Sequence, residues 1–284
     1  MADEKFNLTR DIEYAVHDGV SLIAHLWKPA GSGPFPALIT IHGGGWRVGG
    51  PDNYAQWGPK LAEQGFAMFS IAYRKTLPDN KPLWPQTACD VRAAVQFLRG
   101  NAARFDIDPE RIAMMGDSAG GHLSALVALA GDEPLFDGHY PDDPFAGTST
   151  AVKAVISNYG VHDMVQQWQH DQAVRFADHI VEILLGCTPM DDRKLYFDAS
   201  PMSYAIKAKN RTAFMLTHGT EDDVVDRIQT DAFHDALKMA GFFTRKLIIQ
   251  GAGHYATQEP FDAPRSYSGY LLPRVVKFLR DQMG

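Results

Sequence analysis

Residues 11–16 and 22–27 are short, partly alternating apolar runs on either side of Asp18-Gly19, the pattern of an antiparallel hairpin at a sheet edge. Brief apolar runs rich in β-branched and aromatic residues follow at 37–41, 67–73, 112–115, 152–159, 212–217 and 244–249. Unbroken runs of this length read as strands buried on both faces. Helical periods lie between them, clearest where Val91, Ala94, Val95 and Leu98 recur behind Pro85, and again at Leu272, Val275, Val276 and Leu279. Strands alternating with helices predict an α/β fold: a mostly parallel central sheet with an antiparallel N-terminal edge and helices on both faces. Ligands then gather at the carboxyl ends of the strands.

Two stretches break the alternation. Residues 131–150, rich in Gly, Pro and Asp, predict a loop. The segment 161–205 carries Met164, Trp168, Phe176, Ile180, Leu184 and Leu185 with no intervening strand, which predicts short helices forming a small lid. No repeat or linker interrupts the rest, so residues 1–284 are expected to form one domain.

Composition narrows the function. With 27 basic and 34 acidic side chains among 284 residues, the formal charge is −7. Such a chain has no excess of cations to neutralise phosphates, which argues against nucleic acid or an anionic membrane as partner. No apolar run is long enough to span a bilayer, and the charged opening residues lack the pattern of an export signal. Cys89 and Cys187 are too few for a disulfide framework. The expectation is a cytoplasmic protein, monomer or homodimer, that acts on a small molecule.

The chemistry is concentrated in four loops. Gly116-Asp117-Ser118-Ala119-Gly120 follows the run 112–115 and precedes a helical stretch from Leu123 to Leu129. A serine on a sharp strand-to-helix turn needs small neighbours, and the helix behind it favours developing negative charge. His42-Gly43-Gly44-Gly45-Trp46 also follows a predicted strand. Its consecutive glycines let backbone N–H groups approach a reacting carbonyl, so Gly44, Gly45 and Ala119 are candidate oxyanion donors. A serine hydroxyl needs a base, and the base needs a carboxylate to orient it. His254, in the tight loop Gly251-Ala252-Gly253-His254, is the candidate base; Glu221, Asp222 and Asp223 are three neighbouring candidates for the acid. His122, one helical turn beyond Ser118, is expected to pack behind the nucleophile, and His42 to brace its loop.

The order serine, acid, histidine is that of α/β-hydrolases and excludes trypsin-like and subtilisin-like arrangements. The chain resembles the esterase and lipase group of the α/β-hydrolase superfamily through His42 to Trp46, Tyr73-Arg74, Asp108 to Ile112, Gly116 to His122, His218 to Val225 and Gly253-His254. That resemblance implies that Asp222, four residues after His218, is the acid, and that Gly44 and Gly45 are oxyanion donors. Only 41 residues precede His42, too few for the N-terminal helical cap of typical hormone-sensitive-lipase-like enzymes. The chain is therefore more similar to the short bacterial branch resembling acetylxylan, feruloyl and general carboxylesterases, and to arylformamidases. Ala72-Tyr73-Arg74 also lacks the aspartate usual before the tyrosine.

The expectation is a serine carboxylesterase acting through an acyl-enzyme, with Ser118, His254 and Asp222 as triad and short-chain acyl or aryl esters as substrates. It needs no cofactor, and the scattered histidines match no metal-ligand spacing. Trp46, His162, Trp168 and Phe176 are candidate pocket walls. The alternatives are an arylformamidase-type amide hydrolase, an acetylxylan or feruloyl esterase and, in another class, a non-catalytic binding protein of the same fold.

Overall fold

The structure, a computed structural model, describes residues 5–284. Eight strands form one sheet in the order β1-β2-β4-β3-β5-β6-β7-β8: β1 Phe6–His17, β2 Val20–Pro29, β3 Phe35–Ile41, β4 Ala67–Ile71, β5 Ile107–Asp117, β6 Ala154–Asn158, β7 Ala213–Gly219 and β8 Thr244–Ile249. The β1–β2 hairpin turns at Asp18-Gly19, both at positive φ (51° and 78°), as a tight primed turn requires. β2 pairs antiparallel with β4, and every pairing from β4 to β8 is parallel. The expected edge and the expected parallel body are both present. The main difference lies in β5, which begins at Ile107, five residues before the apolar run. Its polar first half is partly exposed at the sheet margin.

Nine α-helices accompany the strands among the described residues: α1 Trp57–Ala62, α2 Gln86–Gly100, α3 Ala102–Phe105, α4 Ala119–Ala130, α5 Met164–Val174, α6 Ile180–Leu185, α7 Arg193–Asp198, α8 Ile228–Met239 and α9 Tyr267–Met283. Strand side chains alternate between two cores. Ile39, Ile41, Met114, Val155, Phe214 and Leu216 face α2, α4 and α8. Leu38, Ala113, Met115, Ile156 and Met215 face α1 and α9. Because both faces are covered, the central strands carry no solvent-facing polar row, which is why they read as unbroken apolar runs. The segment between β6 and β7 supplies α5, α6 and α7, in agreement with the expected helical insertion.

Candidate active site

The carboxyl ends of β3, β5, β7 and β8 bring the four chemistry-bearing loops together. Ser118 caps α4 immediately after β5, with φ 53° and ψ −119°, a conformation unusual for a residue bearing a Cβ. The turn closes because its neighbours are glycines. A Cβ at Gly120 would collide with the Ile41 carbonyl oxygen, and one at Gly116 with the Gly120 backbone. The Ser118 N–H donates to Asn158 O at 2.9 Å, which ties the turn to β6.

Ser118 Oγ lies 2.9 Å from His254 Nε2. On its other side His254 Nδ1 is 2.9 Å and 2.8 Å from the two oxygens of Asp222. Both His254 and the Asp222 carboxylate are buried. Burial pushes the Asp222 carboxyl upward, but the His254 hydrogen bond and charge, the Val225 N–H and His218 together hold it below the ordinary value. As a carboxylate it only accepts, so Nδ1 carries the proton, and Nε2 is left to accept from the serine hydroxyl. The Val224 and Val225 N–H groups donate to Asp222 Oδ1 at 3.0 and 2.9 Å and fix its orientation. Glu221 and Asp223 are exposed.

Gly44 and Gly45 line the same cavity as Ser118 and His254. Gly44 holds φ +111°, where a Cβ would collide with Val48 O. The amides of Gly44, Gly45 and Ala119 donate to no protein acceptor among the described residues, which leaves them available to an oxygen at the serine. His42 braces this loop. Its Nδ1–H donates to Gly43 O at 2.7 Å and its ring stacks 4.3 Å from Tyr73, while burial lowers its pKa to about 4, so it is neutral. His122 has both ring nitrogens occupied, by Trp46 Nε1–H at 3.1 Å and by Ala199 O at 2.8 Å. It lies behind the nucleophile turn, shielded from the cavity by Trp46.

Three candidate wall residues prove to be placed elsewhere. His162 is fully buried beneath the site, 3.0 Å from Ser157 Oγ and stacked 4.2 Å from Phe233. Trp168 points along the insertion and donates to Glu182 Oε1 at 2.6 Å, pinning α5 to α6. Phe176 is 72% exposed, because the turn between α5 and α6 sends its neighbours Arg175 and Asp178 inward instead. Trp46 does border the cavity, with its indole buried against His122.

Sequence reasoning missed much of the wall. The cavity, about 370 Å³, is lined by Val48, Leu77, Val161, Ile180, Tyr255 and Gln258, together with Arg47, Arg175 and Asp178. Asp117 was also missed as an organiser of the site. Its Oδ1 accepts from the Gly43 N–H at 3.1 Å, coupling the serine turn to the glycine loop. Burial pushes its pKa up, opposed by Tyr54, the Gly43 N–H and Gln258. A carboxylate closing the apolar run 112–116 was the available signal. Among the described residues no cluster of three or more His, Cys, Asp or Glu side chains is set to hold a metal, and no helix is long and apolar enough to cross a membrane.

A parallel sheet with an antiparallel edge, carrying serine, acid and histidine on the loops after β5, β7 and β8, defines an α/β-hydrolase fold with a serine-hydrolase-type site. The family model of BD-FAE matches residues 25–237, and the chain belongs to that family. It is 32% identical over 254 residues to esterase LipQ of Mycobacterium tuberculosis, covering 87% of this chain and 57% of that protein. It is 33% identical over 224 residues to esterase LipC of the same organism, covering 78% and 53%. The chain thus spans about half the length of these curated relatives. Among solved structures, esterase 2 of Thermogutta terrifontis phosphonylated by sarin superposes with a TM-score of 0.80 at 22% identity, covering 98% of this chain and 96% of that one.

Proposed function

We propose that the protein is a serine carboxylesterase whose 284 residues work as one unit, with the α5–α7 segment as the cover of its site. The observation that carries this reading is the hydrogen-bonded series Ser118–His254–Asp222 beside three amides with no internal acceptor. Ser118 Oγ attacks the ester carbonyl as its proton passes to His254 Nε2. The tetrahedral oxyanion is held by the N–H groups of Gly44, Gly45 and Ala119 at the start of α4, and Asp222 stabilises the imidazolium that forms. His254 then protonates the leaving alcohol, and water repeats the sequence on the acyl-enzyme. No step calls for a metal or an organic cofactor.

Esters are favoured over formamides because the curated relatives LipQ and LipC are esterases. A cavity of about 370 Å³ with apolar walls at Leu77, Val161 and Ile180 fits a short acyl or aryl group. The two cysteines are unpaired, in keeping with a reducing cytoplasm. The test is labelling by a fluorophosphonate probe together with p-nitrophenyl acetate turnover in the wild type and in Ser118→Ala. The wild type is expected to label and turn over, whereas the variant should not label and should lose at least about 10⁴-fold in kcat. An unlabelled wild-type protein that hydrolyses no ester in a panel of acyl lengths overturns the reading.

A further inference from the structure

The chain contains fifteen arginines, and fourteen of them are accounted for. Nine have an oxygen acceptor: Arg74 holds Asp90, for example, Arg111 holds Asp108, Arg99 holds the Ser149 and Ala151 carbonyls, and Arg175 holds Asp178. Five others, Arg104, Arg193, Arg211, Arg245 and Arg265, are exposed to solvent. Arg47 alone is neither. It is half-buried, it follows the glycine loop directly, and it lines the cavity that holds Ser118 and His254. Its Nε is buried and donates to nothing among the described residues.

The other charges at the cavity are already matched. Arg175 also leaves a buried Nε without an acceptor, but its charge is matched by Asp178 through Nη2, and Asp222 is turned to His254. Asp117 accepts from the Gly43 N–H, and the Gln258 amide lies 3.4 Å from its other oxygen. A guanidinium withdrawn from water without a carboxylate is unfavourable unless a ligand supplies one, and its fork of donors fits a carboxylate in particular. We infer that the substrate is an ester bearing a carboxylate group, recognised by Arg47 at the margin of the oxyanion loop. This deepens the carboxylesterase reading and rests on it. The apolar walls at Leu77, Val161 and Ile180 hold the hydrocarbon part, and Arg47 selects among esters of equal size by charge.

The experiment compares anionic esters with neutral counterparts of similar shape by pH-stat. On the acyl side these are monoethyl glutarate and ethyl valerate; on the alcohol side, 4-acetoxybenzoate and 4-acetoxybenzamide. In at least one pair the wild type should favour the anion in kcat/KM by about tenfold or more. Arg47→Gln should erase that ratio, chiefly through KM, and Arg47→Lys should keep part of it. A wild-type ratio at or below one in both pairs, or a ratio unmoved in Arg47→Gln, overturns the inference while leaving turnover of the neutral esters to support the esterase reading. Glutarate, which has no scissile bond, supplies a second readout: it should slow fluorophosphonate labelling of Ser118 in the wild type and not in Arg47→Gln, and equal protection of both counts against the inference. Absence of labelling altogether is instead the failure of the esterase reading.

Discussion

Glu221, Asp222 and Asp223 share one chemistry, and what separates them is where the backbone points each carboxylate. Two N–H groups, from Val224 and Val225, lock Asp222 toward His254, while its neighbours face water. Asp222→Asn should therefore lower kcat for p-nitrophenyl acetate by about 10⁴-fold, because an amide can bind and misorient the wrong imidazole tautomer. Glu221→Gln and Asp223→Asn should stay within about threefold, the ordinary range for exposed charges. Steady-state rates on the three variants decide it, and a large loss at either neighbour would reassign the acid. Asp117 acts one step further back. By accepting from Gly43 it sets the glycine loop against the serine turn, so Asp117→Asn should change kcat more than KM, by about 10-fold to 100-fold, as a displaced oxyanion donor would.

At the scale of elements, the sheet and the nucleophile turn were legible in the chain because each depends on local chemistry. Strands buried on both faces must be apolar throughout, and a turn as tight as 116–120 has no room for a Cβ at Gly116 or Gly120. The cavity wall was not legible, because it is assembled from loops whose inward side depends on backbone turns that leave no periodic trace. Phe176 looked like a wall residue by its size, yet the α5–α6 turn exposes it and sends Arg175 and Asp178 inward. Trp168 was spent on holding α5 to α6 through Glu182. Ile180, the first residue of α6, does reach the site: its Cγ2 lies 3.7 Å from where a Cβ on Gly45 would stand. Ile180→Ala should enlarge the acyl pocket and shift preference toward longer chains by about tenfold in the kcat/KM ratio of p-nitrophenyl hexanoate to acetate. The truncation should also lower stability by about 2–4 kcal/mol. A denaturant midpoint measured beside the ester ratio separates the two effects, and an unchanged ratio would place the acyl chain against another wall.

Across the whole molecule, burial has been imposed on seven of the eleven imidazoles, and the sign of the resolved shifts predicts how the fold responds to acid. Burial lowers His42 and His122 to about 4 and His162 to about 3, and it lowers His218 as well against the pull of Asp222. His17 runs the other way. Burial opposes its charge, but hydrogen bonds to Asp90 at 2.7 Å and Asp143 at 2.8 Å outweigh that and raise it. In the unfolded chain all five titrate near their ordinary value of about 6.5. Between that pH and about 4 the unfolded state takes up protons at His42, His122 and His162 that the native state refuses, and His218 acts with the same sign, so their contribution to stability is intact above about 6.5 and falls as the solution is acidified. His17 contributes the opposite slope, because its stabilisation is complete below 6.5 and fades as pH rises through its higher native value. Around pH 5 His17 is protonated in both states and cancels; His42, His122 and His162 take up about three protons on unfolding, while Asp171, which burial raises to about 6, releases about one, so these groups leave a net uptake of about two, a slope of about 3 kcal/mol per pH unit. Urea midpoints from pH 8 to pH 5 should therefore fall steeply below 6.5. His162→Gln, which removes one lowered site, should flatten that slope by about one proton whatever it does to stability at pH 8, since a glutamine has nothing to titrate. Identical slopes in the two proteins would mean that His162 is protonated in the native state, and its buried contacts with Ser157 and Phe233 would then have to tolerate a cation.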